Sequence, residues 1–398
     1  MKEYTYLIIG NSAAGISAIN KLWQLDPTAS ILCISEEQEQ PYNKCFLADY
    51  LSGQKEQTQL FTKLLHKNAQ FSFGKRVVSI EREAKVITLS DNARIRYGTL
   101  LLATGSSPIL PPIPGRECEG VFTFHTLQDT NRILSYVKRT DFAHVTIIGG
   151  GLSGLEAADA LRSQNLEVTL VEQNGQVLKG SVDPEAAAFI QERMLAKGIS
   201  FMPDTQVQTI MNSNGRVCGV TLSNGMQLPT DVVICATGLK PNSELARDAQ
   251  LQLVKDSVWV NQNMQTSDEQ IYAAGDLVVV RDQLTEQLIR SCTWPDAMHQ
   301  GMIAAHAMAG DAKPYPGAMV VTSSAFFDVK FAACGYGSHL LKGDGITEVS
   351  CNVNPDEYCK LFIKDGIPIG FIMIGQSMPQ LGALRRSVLL RQPYDLKP

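Results

Sequence analysis

The chain has 398 residues, 44% of them hydrophobic and 19% charged, with a net charge of −5. That length predicts two or three domains with separate cores, and the mild charge gives no reason to expect nucleic acid or an acidic membrane surface as a partner. No apolar run is long enough to cross a bilayer, and a glycine loop already begins at residue 10, so a cleaved leader that would remove it is not expected.

The first predicted strand is Leu7-Ile8-Ile9. It runs into the loop Gly10-Asn11-Ser12-Ala13-Ala14-Gly15. Ala14, Ile16, Ala18, Ile19, Leu22 and Leu25 then form one helical face, ended by Asp26-Pro27. Residues 31–35 are the next strand, ending at Glu36-Glu37. Asn43 suits an N-cap and Gly53 a C′ position, which predicts a helix over 44–52. Residues 76–80 read as a further strand.

Thr88-Leu89-Ser90 stands fifteen residues before Ala103-Thr104-Gly105, with the turn Asp91-Asn92 between and Pro108 beyond. The same sequence of signals then returns. Val145 to Ile148 is a strand, Gly149-Gly150-Gly151-Leu152-Ser153-Gly154 a second loop, 152–162 a helix, and 168–171 a strand ending at Glu172. Thr221-Leu222-Ser223 stands fifteen residues before Ala236-Thr237-Gly238, with Asn224-Gly225 between and Pro241 beyond. A loop, a meander and an Ala-Thr-Gly recurring in order predict two related dinucleotide-binding units. A strand ending in Gly275-Asp276 follows, then a helix from Trp294-Pro295 to Met308. Past Gly310, with Pro314 and Pro316 at the entrance, strands 358–364 and 367–374 flank Asp365-Gly366, and 381–390 is a helix, giving a small α+β cap.

The residue types in each loop specify its chemistry. The first glycine makes the turn, the second admits backbone to a pyrophosphate, and the third lets helix pack on strand. Gly149, Gly151 and Gly154 supply all three, and Leu152 and Ser153 open a helix whose N-terminus faces the phosphates. Glu172, eighteen residues after Gly154, is placed to accept hydrogen bonds from an adenine-ribose 2′-hydroxyl and to repel a 2′-phosphate. Gln173 and Asn174 offer no compensating arginine, so NADH is expected over NADPH. In the first loop Ser12 replaces the second glycine, Ala13 and Ala14 follow, and Glu36, with Glu37 beside it, supplies the ribose carboxylate.

These elements resemble the pyridine nucleotide–disulfide oxidoreductase superfamily of flavoproteins. The resemblance rests on Gly10 to Gly15, Ala103-Thr104-Gly105, Gly149 to Gly154 with Glu156, Ala236-Thr237-Gly238, and Tyr272 to Asp276, and runs to about residue 310. It implies an α/β fold with two Rossmann-like domains, for FAD and NAD, the second inserted in the first, plus the small α+β cap. The corresponding boundaries are 1–112 and 244–312 for FAD, 113–243 for NAD and 313–398 for the cap. It implies that Asp276 bonds the flavin ribityl chain, that Val78 meets the adenine through its backbone, and that Glu156 lies near nicotinamide and flavin. It further implies that the helix from Trp294 aims its positive end at the flavin.

Within the superfamily, Pro41-Tyr42-Asn43-Lys44 and residues 294–301 are similar to NADH:rubredoxin reductases, nitrite reductase flavoproteins and NADH oxidases, and Lys44 takes the place of a basic residue that touches FAD. The implied activity is hydride transfer from NADH to FAD and onward to a small redox protein or oxygen. A homodimer is compatible with it.

Cys45 opens an alternative. Residues 45–53 line up with the segment that begins with the single redox cysteine of NADH peroxidases, NADH oxidases and coenzyme A disulfide reductases, and Lys44 and the helix dipole would favour its thiolate. The alternative activity is reduction of a low-molecular-weight disulfide or persulfide. Against it, the residues before Cys45 follow the electron-transfer branch, which has proline at that place, and Ala13 stands where the peroxidases keep a histidine. Cys45 is thus either redox-active or a passive thiol. A third, more remote reading is an NADH-responsive sensor or interaction protein. The nine cysteines show no metal-ligand spacing, so no metal is expected, and they read as unpaired thiols of a cytoplasmic protein. His299 and the arginines Arg385, Arg386 and Arg391 read as surface residues, and Phe326-Phe327 as cap packing.

Overall fold

The computed structural model describes residues 1–62, 69–139, 144–335, 345–351 and 356–394. Two compact units emerge. One comprises Met1–Cys45, Gln57–Ser107 and Lys240–Val320; the other Phe46–Glu56, Pro108–Leu239 and Val321–Pro398.

In the first unit, Lys2–Ile9 lies between Ile31–Ile34 and Arg94–Leu102, parallel to both. Gln70–Ser72 and Ile271–Ala273 extend the parallel sheet, and the antiparallel strands Val77–Glu81 and Val86–Leu89 complete its far edge. Strands buried on both faces need continuous apolar runs, and Leu7, Ile8, Leu100, Leu101 and Ile271 are all fully enclosed. The register aligns Ile9 with Ile34 and Leu102, and Leu102 with Ala273. Four loops therefore leave one carboxyl edge together: Gly10, Ser35–Glu37, Ala103–Gly105 and Ala274–Asp276. Helix Ala13–Leu25 packs on helix Trp294–Met308 so closely that a Cβ on Gly301 would stand 2.2 Å from the Ala14 carbonyl oxygen.

The second unit repeats this plan. Its five strands are all parallel, in the order Ser200–Met202, Glu167–Val171, His144–Ile148, Val232–Cys235, Val121–Thr123. Ile148 aligns with Val171 and Cys235, so Gly149, Glu172 and Ala236 share an edge. Val207–Ser213, Arg216–Leu222 and Gln227–Pro229 form the meander. The remainder is a five-stranded antiparallel sheet carrying helix Leu381–Leu390. The Tyr358 hydroxyl donates to Asp183, the N-cap of helix Pro184–Ala196, which ties this sheet to the parallel one.

Two local expectations are corrected. The single helix over 44–52 is a 3₁₀ turn at Lys44–Phe46 followed by an α-helix at Leu47–Leu51; Asn43 still caps it, its Oδ1 accepting from the Cys45 N–H at 2.9 Å. The cysteines are not all unpaired: Cys351 and Cys359 form a disulfide. Hairpin register produces it, because Ser350 pairs with Lys360 and the next residue on each side is cysteine. Phe326 and Phe327 are buried as expected, and Arg385, Arg386 and Arg391 are exposed. His299 is half-buried, its ring edge-on to Tyr315 at 5.3 Å.

Candidate active site

The two glycine loops correspond feature by feature. Gly10 and Gly149 both have φ of +112°, a conformation that favours glycine. A Cβ on Gly10 would lie 2.1 Å from the Ala103 carbonyl oxygen, and one on Gly149 would lie 2.4 Å from that of Ala236. A Cβ on Gly15 would lie 1.9 Å from the Gly10 oxygen, and one on Gly154 would lie 2.0 Å from the Gly149 oxygen. Each Ala-Thr-Gly therefore works as the floor on which its glycine turn sits, and the third glycine is where helix meets strand. Gly151 differs: nothing lies within 4 Å of its would-be Cβ. That open face is where a pyrophosphate would come against backbone.

The helices behind the loops begin in a way that suits an anion. Ser12 and Gly151 are the N-caps, and neither gives a side-chain capping bond. Neither helix has an acidic residue in its first turn. By contrast, helix Leu127–Val137 is closed by Thr126 and Pro184–Ala196 by Asp183. Uncapped N–H groups carrying the positive end of a helix are a ready phosphate site. In the first loop Ala13 and Ala14 are buried and Asn11 is fixed by Ser35 and by the Glu39 carbonyl. A cavity of about 460 Å³ runs past Ser12, Ala13, Tyr42, Asn43 and Trp294.

The carboxylates divide. Glu172 is buried and accepts from the Gly150 N–H at 2.6 Å and from the Asn174 N–H at 2.8 Å, so it is held against the second loop. Glu36 is exposed at its strand end. Glu37 accepts from the Tyr42 hydroxyl at 2.6 Å and pairs with Lys44 at 3.1 Å, which fixes the Lys44 ammonium. Asp276 accepts from Ser106 at 2.8 Å, and the preceding Gly275 has φ of +91°. Thr104 and Thr237 donate to the carbonyls of Asn242 and Ile109, and Gly105 and Gly238 follow with positive φ. Val78 sits at a bulge, since Val77 pairs with Leu89 and Ser79 with Thr88. It has no Cα partner in the neighbouring strand's register, and the residue is exposed.

Leu152 and Ser153 open the helix that carries Glu156. Ser324 donates to Glu156 at 2.6 Å. Burial pushes the Glu156 carboxyl above the usual carboxylate range; the Ser324 bond opposes this and nearby Asp49 adds to it. Folded protein thus keeps that proton to higher pH than unfolded chain, so this group makes stability fall as pH rises through its folded pKa. Each unit of elevation costs about 1.4 kcal/mol. Glu156→Gln should melt level with wild type at pH values below the ordinary carboxylate range and increasingly above it towards neutrality. Paired thermal melts across that range check this; a pH-independent gap would contradict it.

Among the buried thiols, Cys235 is pushed up to about 12 by desolvation and Cys33 higher, which makes them inert. Cys45 is exposed, beside Lys44. No group of three or more metal-type side chains occurs among the described residues. The sequence does not single out Ser106, Asn242 or Ser324, and it offers Gln300 only as part of the 294–301 stretch. Each is a polar residue with a partner distant in sequence, which no local pattern announces.

Residues 4–308 match the family described as pyridine nucleotide-disulphide oxidoreductase. The chain belongs to that family. It is 32% identical over 361 residues to an NADH oxidase of Methanocaldococcus jannaschii, covering 87% of this chain and 77% of that one. It is 30% identical to a rubredoxin-NAD(+) reductase of Pseudomonas putida, covering 78% and 81%. The solved structure of an NAD-dependent persulfide reductase from A. fulgidus superimposes with a TM-score of 0.90 at 27% identity, covering 98% of this chain and 77% of that one. This oxidoreductase therefore has two Rossmann-like domains, one for FAD and one for NAD, plus the α+β cap. It is an FAD-dependent enzyme that takes hydride from NADH to FAD and passes electrons to an acceptor. FAD supplies the step between a two-electron donor and that acceptor; the protein supplies alignment and field. The uncapped Ala13–Leu25 helix, the glycine turn and the bulge at Val78 fit such a group.

Proposed function

We propose that this oxidoreductase uses NADH in preference to NADPH and delivers electrons to a small redox protein or to oxygen. The observation that carries the nucleotide preference is Glu172. Held by Gly150 and Asn174 at the edge of the second loop, it presents a carboxylate where a 2′-hydroxyl would donate and a 2′-phosphate would be repelled. Gly10, Ser12, Ala13, Ala14 and Gly15 cradle the FAD pyrophosphate. Glu36 and Glu37 lie at its ribose, Lys44 along it, and Val78 at its adenine. Ala103, Thr104, Gly105, Gly275, Asp276 and Trp294 line the flavin side. Gly149, Gly151, Leu152, Ser153 and Gly154 hold NADH, with Thr237, Gly238 and Glu156 towards its nicotinamide. The domain boundaries at 112, 243 and 312 follow from this assignment. The enzyme acts in the cytoplasm.

The delivery reading is supported by the similarity to a rubredoxin reductase and by the Pro41-Tyr42-Asn43 wall of the cavity. A second reading has one specific observation in its favour. Cys45 is exposed and directly follows the cavity-lining Tyr42 and Asn43 and the Lys44 cation, so a low-molecular-weight disulfide or persulfide could reach it. Cys45→Ser separates the two. Under electron delivery the variant keeps NADH-driven turnover of a one-electron dye to within about twofold, and the reduced wild type shows no long-wavelength thiolate–flavin absorbance. Loss of disulfide reduction in the variant, with such a band in the wild type, would transfer the assignment to Cys45.

A further inference from the structure

The Trp294–Met308 helix differs from the two loop helices in one respect. It too starts without a side-chain cap, at Thr293, but its first turn carries an acid, Asp296. That carboxylate is wired in. Oδ1 accepts from the Tyr315 hydroxyl at 2.5 Å. Oδ2 accepts from the Ser291 hydroxyl and from Gln300 Nε2, the latter at 2.8 Å. Gln300 is fully buried, and its Oε1 accepts from the Gly275 N–H at 2.7 Å. Two hydrogen bonds therefore separate Asp296 from the turn that presents Asp276. Gln300 must offer its oxygen to Gly275, so its amide must face Asp296, and only an acceptor there satisfies it. The same carboxylate places a negative charge at the positive end of the helix and offsets the dipole that would otherwise favour charge on a reduced flavin.

We propose that Asp296 is a positioning residue that sets the flavin reduction potential, holding the Gly275–Asp276 turn through Gln300 and lowering the potential through its charge. The proposal rests on the assignment of that turn and of the Trp294 helix to the flavin. Tyr315 and Ser291 are its tuning donors. They spread the negative charge and fix the carboxylate in place.

Two substitutions carry opposite signs. Asp296→Asn keeps an oxygen for Gln300 and Ser291, and the Tyr315 hydroxyl rotates to accept from the new amide. Geometry survives while the charge goes, so the reduced flavin gains. The equilibrium with NADH/NAD⁺ should move about tenfold towards reduced flavin, about 30 mV for a two-electron couple. Tyr315→Phe removes one donor and leaves the carboxylate charge less dispersed, so the equilibrium should move towards oxidised flavin. The measurement is a redox titration of FAD-loaded enzyme against a dye of known potential. Opposite shifts support the proposal. Unchanged potentials, or shifts of the same sign in both variants, overturn it, and if one variant does not fold the sign of the other still decides. Asp276→Ala isolates the underlying assignment: flavin retained at wild-type affinity and potential would refute the placement of Asp276 on the flavin, whatever Asp296 does.

Discussion

Gly151→Val should leave FAD content and fold intact and slow reduction by NADH severely. Gly151 has φ of −77° and ψ of −179°, a conformation any residue adopts, and its would-be Cβ meets nothing within 4 Å. Loss of a tolerated N-cap residue costs about 1 kcal/mol. The branched side chain instead fills the space through which backbone approaches the NADH pyrophosphate. The kcat/KM for NADH should fall about 100-fold or more, equivalent to about 2.8 kcal/mol. Gly154→Val is the contrast. There the side chain would drive against the Gly149 oxygen at 2.0 Å, and the damage should appear as instability of the whole unit. Flavin absorbance per protein, thermal melts and stopped-flow reduction distinguish the two. Normal NADH kinetics in Gly151→Val would remove the second loop from the nucleotide site.

Glu172→Ala has the second large effect, and it acts in two ways. The carboxylate takes the Gly150 N–H, the Asn174 N–H and the Asn174 side-chain amide while 8% exposed. Removing it leaves buried donors without their acceptor, which costs about 1–3 kcal/mol of stability. On the proposed assignment it also removes the partner of the ribose hydroxyl and the repulsion of a 2′-phosphate. The kcat/KM for NADH should fall by about tenfold or more, and the NADPH-to-NADH ratio should rise by a similar factor. Glu172→Gln keeps the shape but only one acceptor oxygen, so its amide NH2 would face either the Gly150 N–H or the Asn174 donors; it should recover only part of the stability while still losing discrimination against NADPH. Steady-state kinetics with both nucleotides check this; an unchanged ratio in both variants would contradict the assignment of Glu172.

The parts of this enzyme that depend on local backbone demands were legible in the sequence. Helices Ala13–Leu25 and Trp294–Met308 and the hairpin around Asp365-Gly366 have a boundary written in the stop Asp26-Pro27, in the start at Pro295 and in the turn dipeptide. The equivalence of the two nucleotide units was also legible, because Gly10 and Gly149 face the same steric problem and solve it with the same Ala-Thr-Gly. What was not legible depends on strand register and on bonds between separate elements. The Cys351–Cys359 disulfide arises because two strands align Ser350 with Lys360, which no spacing of cysteines announces. The Gln300–Gly275 bond joins a helix to a turn twenty-five residues earlier in the chain. Lys44 was expected along the cofactor, and its engagement with Glu37 follows from a loop path that composition does not encode.

This chain uses two nucleotides, and electrons pass from one to the other. Anaerobic titration of the FAD-loaded protein with NADH tests it most directly, with Gly151→Val run alongside. Visible flavin absorbance of the wild type should bleach with about one equivalent of NADH per flavin, while the variant mixed at the same concentrations should be reduced about 100-fold more slowly. Wild-type flavin that remains oxidised in excess NADH would contradict it.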